Sequence, residues 1–178
     1  MKDDFKKILY SEEEIQRRVK ELGAQITQDF CGKPILLIGV LKGCYVFLAD
    51  LARCIDLECE IMFITASSYG SSAITTGDVK IGMAFDYEIA NRDVIIIEDI
   101  LDTGETLTSL RDFLNRRTPA SLRICALLDK PSRRKSPINA HYTGFECPDE
   151  FVVGYGLDFA EHYRNLPFIA SLKPEVYS

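Results

Sequence analysis

The sequence predicts an α/β fold, with one main parallel, twisted β-sheet flanked by helices. Three observations carry this. Ile35 to Leu41, Val94 to Ile97 and Leu122 to Leu128 are unbroken apolar runs, the pattern of strands buried on both faces of a parallel sheet. Segments with helical periodicity separate the predicted strands, giving strand–helix–strand units. The turns that follow the strands collect polar and charged residues, as open α/β sheets do at their carboxyl edge.

Taken in order, Ser11-Glu12-Glu13-Glu14 reads as a capping box, with Ile15, Val19, Leu22, Ile26 and Phe30 at helical spacing behind it. Gly32-Lys33-Pro34 ends that helix. Ile35 to Leu41 is the first buried strand, Lys42-Gly43-Cys44 a tight turn, and Tyr45 to Ile55 a helix for packing on the sheet. Glu58 to Thr65 reads as a second strand. Ala66 to Asp78 is a long Ser-, Thr- and Gly-rich stretch, the composition of either a functional lid or a disordered loop. Val79 to Phe85 is a further strand candidate. Val94 to Ile97 runs into the acidic turn Glu98-Asp99-Ile100-Leu101-Asp102, and Thr106 to Asn115 is the next helix. Leu122 to Leu128 leads into the basic turn Asp129 to Lys135. Tyr142 to Phe145, Phe151 to Tyr155 and Phe168 to Leu172 are short strand candidates, and Asp158 to Asn165 is a turn or short helix.

The 178 residues suffice for one domain with a substantial core, and neither repeats nor a linker divides them. An apolar fraction of 47% with 27% charged residues is that of a globular protein. A net charge of -6 argues against a broad nucleic-acid-binding surface, so no nucleic-acid partner is expected. The longest apolar run is too short to span a bilayer, and the charged opening Met1-Lys2-Asp3-Asp4 is unlike a signal peptide; the expected compartment is the cytoplasm, with no membrane partner. The six cysteines form no C-x-x-C pair and are expected as buried, reduced thiols. With two histidines available, a zinc site is not expected.

The turns after the strands carry the candidate chemistry. Three carboxylates, Glu98, Asp99 and Asp102, lie within five residues and precede Thr103-Gly104-Glu105-Thr106, which can aim backbone amides at an anion at a helix start. Together with Lys42, Lys130 and the polar stretch, they suggest a phosphorylated substrate and magnesium, since hard oxygen ligands and phosphate oxygens suit that ion. Asp102-Thr103-Gly104 also matches the aspartic-protease triplet, but that chemistry needs two such carboxylates and only one triplet is present. Neither a P-loop nor a strand-linked G-x-G-x-x-G occurs.

Val94 to Leu107, an apolar run followed by Glu-Asp, two apolar residues and Asp-Thr-Gly-x-Thr, resembles the phosphoribosyl-pyrophosphate signature of the type I phosphoribosyltransferases. Leu41-Lys42-Gly43 resembles their pyrophosphate loop, and Ser68-Tyr69 with Thr76-Gly77-Asp78 resembles their flexible catalytic loop. Leu127 to Lys130 and Phe151 to Asp158 resemble the purine-binding parts of the hypoxanthine/guanine branch. The resemblance spans about Ser11 to Arg164 and implies that residues 1–178 form a single phosphoribosyltransferase domain, its sheet topped by a small hood formed near the termini.

The implied reaction moves ribose 5-phosphate from 5-phosphoribosyl-1-pyrophosphate to a 6-oxopurine, with Mg2+ as cofactor and a homodimer or homotetramer as the assembly. By the same resemblance, Glu98 and Asp99 hold the ribose hydroxyls and a first magnesium, and Thr103, Gly104, Glu105 and Thr106 bind the 5-phosphate. Asp102 is the implied general base, and Lys130 donates to the purine 6-oxygen. Phe151 is either a core residue or, by the resemblance, the stacking platform for the base, with the Val152 backbone at the base's edge. Asp158 is the implied ligand of a second magnesium, and Lys42, Gly43 and Arg164 contact pyrophosphate, after a cis bond between Leu41 and Lys42. Ser68 and Tyr69 would belong to a lid that excludes water. Two positions depart from many relatives: Cys44, where a second glycine or a serine is usual, and Glu105, where some relatives carry Lys.

Overall fold

The computed structural model describes residues 2–67, 80–82 and 87–177. In chain order its elements are β1 (Phe5–Tyr10), α1 (Glu12–Phe30), β2 (Ile35–Leu41), α2 (Tyr45–Ala52), β3 (Cys59–Ser67), β4 (Lys80–Gly82), β5 (Asp93–Leu101), α3 (Glu105–Asn115), β6 (Ser121–Asp129), β7 (Tyr142–Glu146), β8 (Val152–Val153), β9 (Ile169–Leu172) and α4 (Pro174–Tyr177). The main sheet has the order β4-β3-β2-β5-β6-β7. Five of these strands are parallel, and β4 pairs antiparallel with the end of β3.

The continuous apolar runs are explained by two cores, one on each face. Along β5, Ile95 and Ile97 pack with the side of α1 and α2, while Val94 and Ile96 pack with Leu107, Leu110 and Leu114 of α3. All four β5 side chains are fully buried, each contributing about 1.5–3 kcal/mol. The capping box of α1 is present: Glu14 N–H donates to Ser11 Oγ at 3.3 Å, and Ser11 N–H to Glu14 Oε2 at 2.8 Å. That helix ends at Cys31, which turns left-handed at φ 47°. This outward turn leaves Cys31 exposed, a correction to the expectation of buried thiols. All six cysteines are free, but only Cys44, Cys125 and Cys147 are buried, while Cys54 and Cys59 are half-buried.

A second, three-stranded antiparallel sheet of order β1-β9-β8 forms the hood and joins the two ends of the chain. β1 was not expected, because Phe5-Lys6-Lys7-Ile8 lacks a clear period. Its lysines are instead held by Glu150, at 2.9 Å from Lys6 and 3.4 Å from Lys7. Tyr10 stacks on Phe145 at 4.1 Å, tying the hood to the main sheet. The segment Asp158 to Asn165 is a run of turns rather than a helix. Among the described residues, no helix is long and apolar enough to cross a membrane.

Candidate active site

Because β2, β5 and β6 are parallel and in register, their carboxyl ends share one edge. The turns beginning at Lys42, Asp99 and Asp129 therefore stand side by side, in the position where open α/β sheets bind ligands. Ser68 and Tyr69 lie outside the described residues.

Glu98, which is buried, and Asp99, which is half-buried, are the acids of this edge. Burial, followed by the charge of Asp99, pushes the Glu98 carboxyl well above the usual range. Burial lifts Asp99 too, opposed by Glu98 and by the Ile100 N–H, which donates to Oδ1 at 2.8 Å. Gly43 lies directly on the Asp99 carboxylate, and a Cβ there would stand 1.5 Å from Oδ2. Gly156 packs against the other side of Gly43, with φ 103° and no room for a side chain. The peptide between Leu41 and Lys42 is cis, as the resemblance implied.

The start of α3 is open toward the same edge. Its cap is Gly104 at φ 81°, with no side-chain cap. A Cβ on Gly104 would meet Ile138 at 2.5 Å, so the turn requires glycine for both conformation and space. Thr103 Oγ1 accepts the Glu105 N–H at 3.3 Å, and the Glu105 side chain is exposed. Amides at an uncapped helix start are donors for an anion. From behind, the Thr103 carbonyl accepts the Lys135 and Ser136 amides at 2.9 and 3.1 Å.

Asp102 and Lys130 are neighbours across the sheet, since Leu101 pairs with Asp129 and Lys130 N–H donates to Leu101 O at 3.0 Å. Asp102 is exposed, whereas Lys130 is buried. Lys130 Nζ donates to the Glu150 carbonyl at 2.8 Å and lies 3.4 Å from Asp149. Both residues flank Cys147, whose thiol is pushed up to about 11, mainly by burial. The Lys130–Glu150 bond brings the hood over this turn, with Phe151 next in the chain and 38% exposed. Val152 follows, pairing with Ser171 inside the hood.

On the hood's far turn, Arg164 pairs with Asp158 at 2.8 Å and with Glu161 at 3.3 Å, and it donates to the Gly156 carbonyl at 2.8 Å. Lys42 pairs with Glu161 at 3.0 Å. The charge of Arg164 also reaches Asp99. Thus Lys42, Gly43, Glu98, Asp99, Asp158 and Arg164 gather at one end of the edge, and Asp102 to Thr106 with Lys130 at the other. Among the described residues, no three His, Cys, Asp or Glu side chains converge to cage a metal. The Glu98–Asp99 pair and Asp158 are two separate sources of carboxylate oxygen.

Four residues escaped sequence reasoning. Arg134, within the basic turn after β6, is largely buried. It donates to the Asp102 carbonyl at 3.1 Å, hydrogen-bonds Ile138 O and pairs with Asp129, bracing the phosphate-type turn. Tyr177 stacks on Phe151 at 5.0 Å with the rings 24° apart, while Phe159 meets the Phe151 edge at 5.5 Å. Glu161 bridges Lys42 and Arg164. Their partners lie far away in sequence or belong to no motif; only the basic run around Arg134 left a signal.

The family model described as phosphoribosyl transferase domain matches residues 7–160. The chain belongs to the phosphoribosyltransferase family. This phosphoribosyltransferase is 53% identical over 178 residues to a hypoxanthine-guanine phosphoribosyltransferase of Staphylococcus aureus (strain Mu50 / ATCC 700699), covering 100% of this chain and 99% of the relative. It is also 53% identical over 177 residues to the hypoxanthine-guanine phosphoribosyltransferase of Bacillus subtilis (strain 168), covering 99% and 98%. The crystal structure of a Staphylococcus aureus hypoxanthine phosphoribosyltransferase superposes with a TM-score of 0.94 at 53% identity, covering 100% of this chain and 97% of that one. The span matched to the phosphoribosyltransferase family includes Lys42 through Asp158, while Glu161, Arg164 and Tyr177 lie beyond it.

Proposed function

We propose that this chain, a single phosphoribosyltransferase domain over residues 1–178, works in purine salvage. It transfers the 5-phosphoribosyl group from 5-phosphoribosyl-1-pyrophosphate to hypoxanthine or guanine, giving IMP or GMP and pyrophosphate. The observation that carries this reading is the convergence, on one sheet edge, of the α3 start, the Glu98–Asp99 pair and the buried Lys130 beside Phe151. Full-length identity of 53% to proteins named for this activity supports it.

The amides at the start of α3 and the Thr103 and Thr106 hydroxyls hold the 5-phosphate. Thr103 accepts from Glu105 N–H, so its own O–H is available to donate. Glu98 and Asp99 face the ribose hydroxyls. Lys42, the Gly43 loop and Arg164 receive pyrophosphate. The sugar carbon gains oxocarbenium character as pyrophosphate leaves, so fixed charges and dipoles lower the barrier. Mg2+, when bound, neutralises and orients the leaving group. Glu98 and Asp99 suit one such ion and Asp158 a second, since magnesium is commonly held by one or two carboxylates together with substrate phosphates.

Asp102 accepts the purine imidazole proton. Lys130 has three donors, and one beyond those directed at Glu150 O and Asp149 meets the 6-oxygen. Phe151 offers a ring face to the base, and the Val152 backbone meets its edge. Ser68 and Tyr69 belong to a segment that closes over the site. The assembly is a cytoplasmic homodimer or homotetramer, for which exposed Ile61 and Phe63 on β3 supply apolar contact surface.

Asp102→Ala tests the mechanism. Turnover should fall by about 10²–10⁴ while the thermal transition is retained. A folded variant with unchanged turnover removes Asp102 from proton transfer.

A further inference from the structure

Glu161 stands between the two cations assigned above to pyrophosphate. Its Oε1 lies 3.0 Å from Lys42 Nζ, on the loop after β2, and its Oε2 lies 3.3 Å from an Arg164 amino group. One carboxylate thus spans a bay whose walls come from segments about 120 residues apart in the chain, the Lys42–Glu161 separation being 119. The backbone is committed to this position. Phe159 and His162 exchange N–H···O bonds of 3.3 and 2.9 Å around a two-residue turn. Both central residues, Ala160 at φ 50° and Glu161 at φ 66°, are left-handed. Such a turn favours Asn-Gly, and side chains there carry a conformational cost. The cost is not needed to make the turn; it keeps a carboxylate at its tip.

We propose that Glu161 is an internal counter-ion for the pyrophosphate subsite, bridging Lys42 and Arg164 until the pyrophosphate group displaces it. This deepens the functional reading above and rests on its assignment of those two cations. The exchange is ionic, and no covalent bond changes. Glu161 replaces part of the anion's charge, so Lys42 and Arg164 stay oriented and the hood turn stays docked on the Gly43 loop. Displacement has an open route, because Glu161 borders a cavity of 480 Å³ lined also by Tyr45, His162, Tyr163, Arg164 and Asn165. The Lys42 ammonium, then Arg164, hold the Glu161 carboxyl below its usual range, so it is fully charged near neutral pH. Both the Lys42 and Glu161 side chains are well exposed, at 67% and 64%, so the competition is modest: about two- to five-fold for an exposed pair.

The test is calorimetric titration of inorganic pyrophosphate, at fixed magnesium, into the full-length wild type, Glu161→Gln, Glu161→Asn and Lys42→Gln. Asn is at home in the left-handed turn, so Glu161→Asn removes the charge without threatening the fold. Both Glu161 variants should bind pyrophosphate about two- to five-fold more tightly than wild type. The gain should shrink with added salt and shrink to the part owed to Arg164 when Lys42→Gln is combined with Glu161→Gln, with KM for hypoxanthine unmoved. Unchanged or weaker binding in both Glu161 variants overturns the counter-ion role, while a wild type that binds and a Lys42→Gln that binds less leave the subsite assignment standing. A wild type that does not bind pyrophosphate, or a Lys42→Gln that binds as well as wild type, overturns the subsite and the counter-ion together.

Discussion

Gly43→Ala is the smallest change that should disable the site. A methyl on Gly43 would stand 1.5 Å from Asp99 Oδ2 and 2.5 Å from its Cγ, whereas real Cβ contacts stay above 3.0 Å, so about 1.5 Å of movement is forced. The loop cannot retreat, because Gly156 is packed against the Gly43 carbonyl so closely that its own Cβ would stand 2.1 Å from that oxygen. Asp99 must therefore move, and in moving it strains its 2.8 Å bond from the Ile100 N–H. Overpacking of this kind costs about 1–3 kcal/mol of stability. A misplacement of about 1 Å costs roughly 10²-fold in rate, or about 2.7 kcal/mol of barrier. Steady-state formation of IMP, measured beside thermal unfolding, should show kcat/KM down by at least about 10² in a folded protein. A folded Gly43→Ala with wild-type kcat/KM would refute the argument that Asp99 is held in a working position by this contact.

Further outcomes follow from the same geometry. Lys130→Met keeps the packing but removes the donor; kcat/KM for hypoxanthine should fall about 10- to 100-fold, the value of a charge-assisted hydrogen bond, with KM for phosphoribosyl pyrophosphate changing little. Tyr177→Ala removes the ring stacked on one face of Phe151 and should raise KM for the base about two- to ten-fold; an unchanged KM would make that stack incidental. His141 Nδ1 accepts the Ile124 N–H at 3.1 Å, and burial holds the imidazole below its ordinary value of 6.5. Between that lowered folded value and 6.5 the unfolded chain binds more protons, so this stability is present above pH 6.5 and lost as pH falls. Urea midpoints should accordingly drop on acidification more in wild type than in His141→Gln.

The main sheet was legible because its signals are local. Ser11 and Glu14 announce α1 within four residues, and Val94 to Ile97 announces a strand buried on both faces. The acidic turn and Thr103-Gly104-Glu105-Thr106 sit on one continuous stretch, so their convergence follows once the strands are parallel. The hood was harder to read, because β1 owes its existence to β9 at the other end of the chain rather than to its own pattern. Helix α2 ends at Ala52 although apolar residues continue to Ile55, which is buried in the following turn. Lys130 carried a motif, but its bond to the Glu150 carbonyl did not. Arg134, Glu161 and Tyr177 act through distant partners, and only the folded chain shows which charges and rings meet.

The central claim is tested most directly by the choice of base. The full-length chain, with phosphoribosyl pyrophosphate and Mg2+, is offered hypoxanthine, guanine and adenine in turn, and pyrophosphate release is followed. Turnover is expected with hypoxanthine or guanine. With adenine it should be lower by about 10⁴–10⁵, because the adenine amino group would set a second donor against Lys130. Adenine turnover comparable to that with hypoxanthine would contradict the role of Lys130, and phosphoribosyl pyrophosphate bound without release of pyrophosphate for any base would contradict catalysis itself.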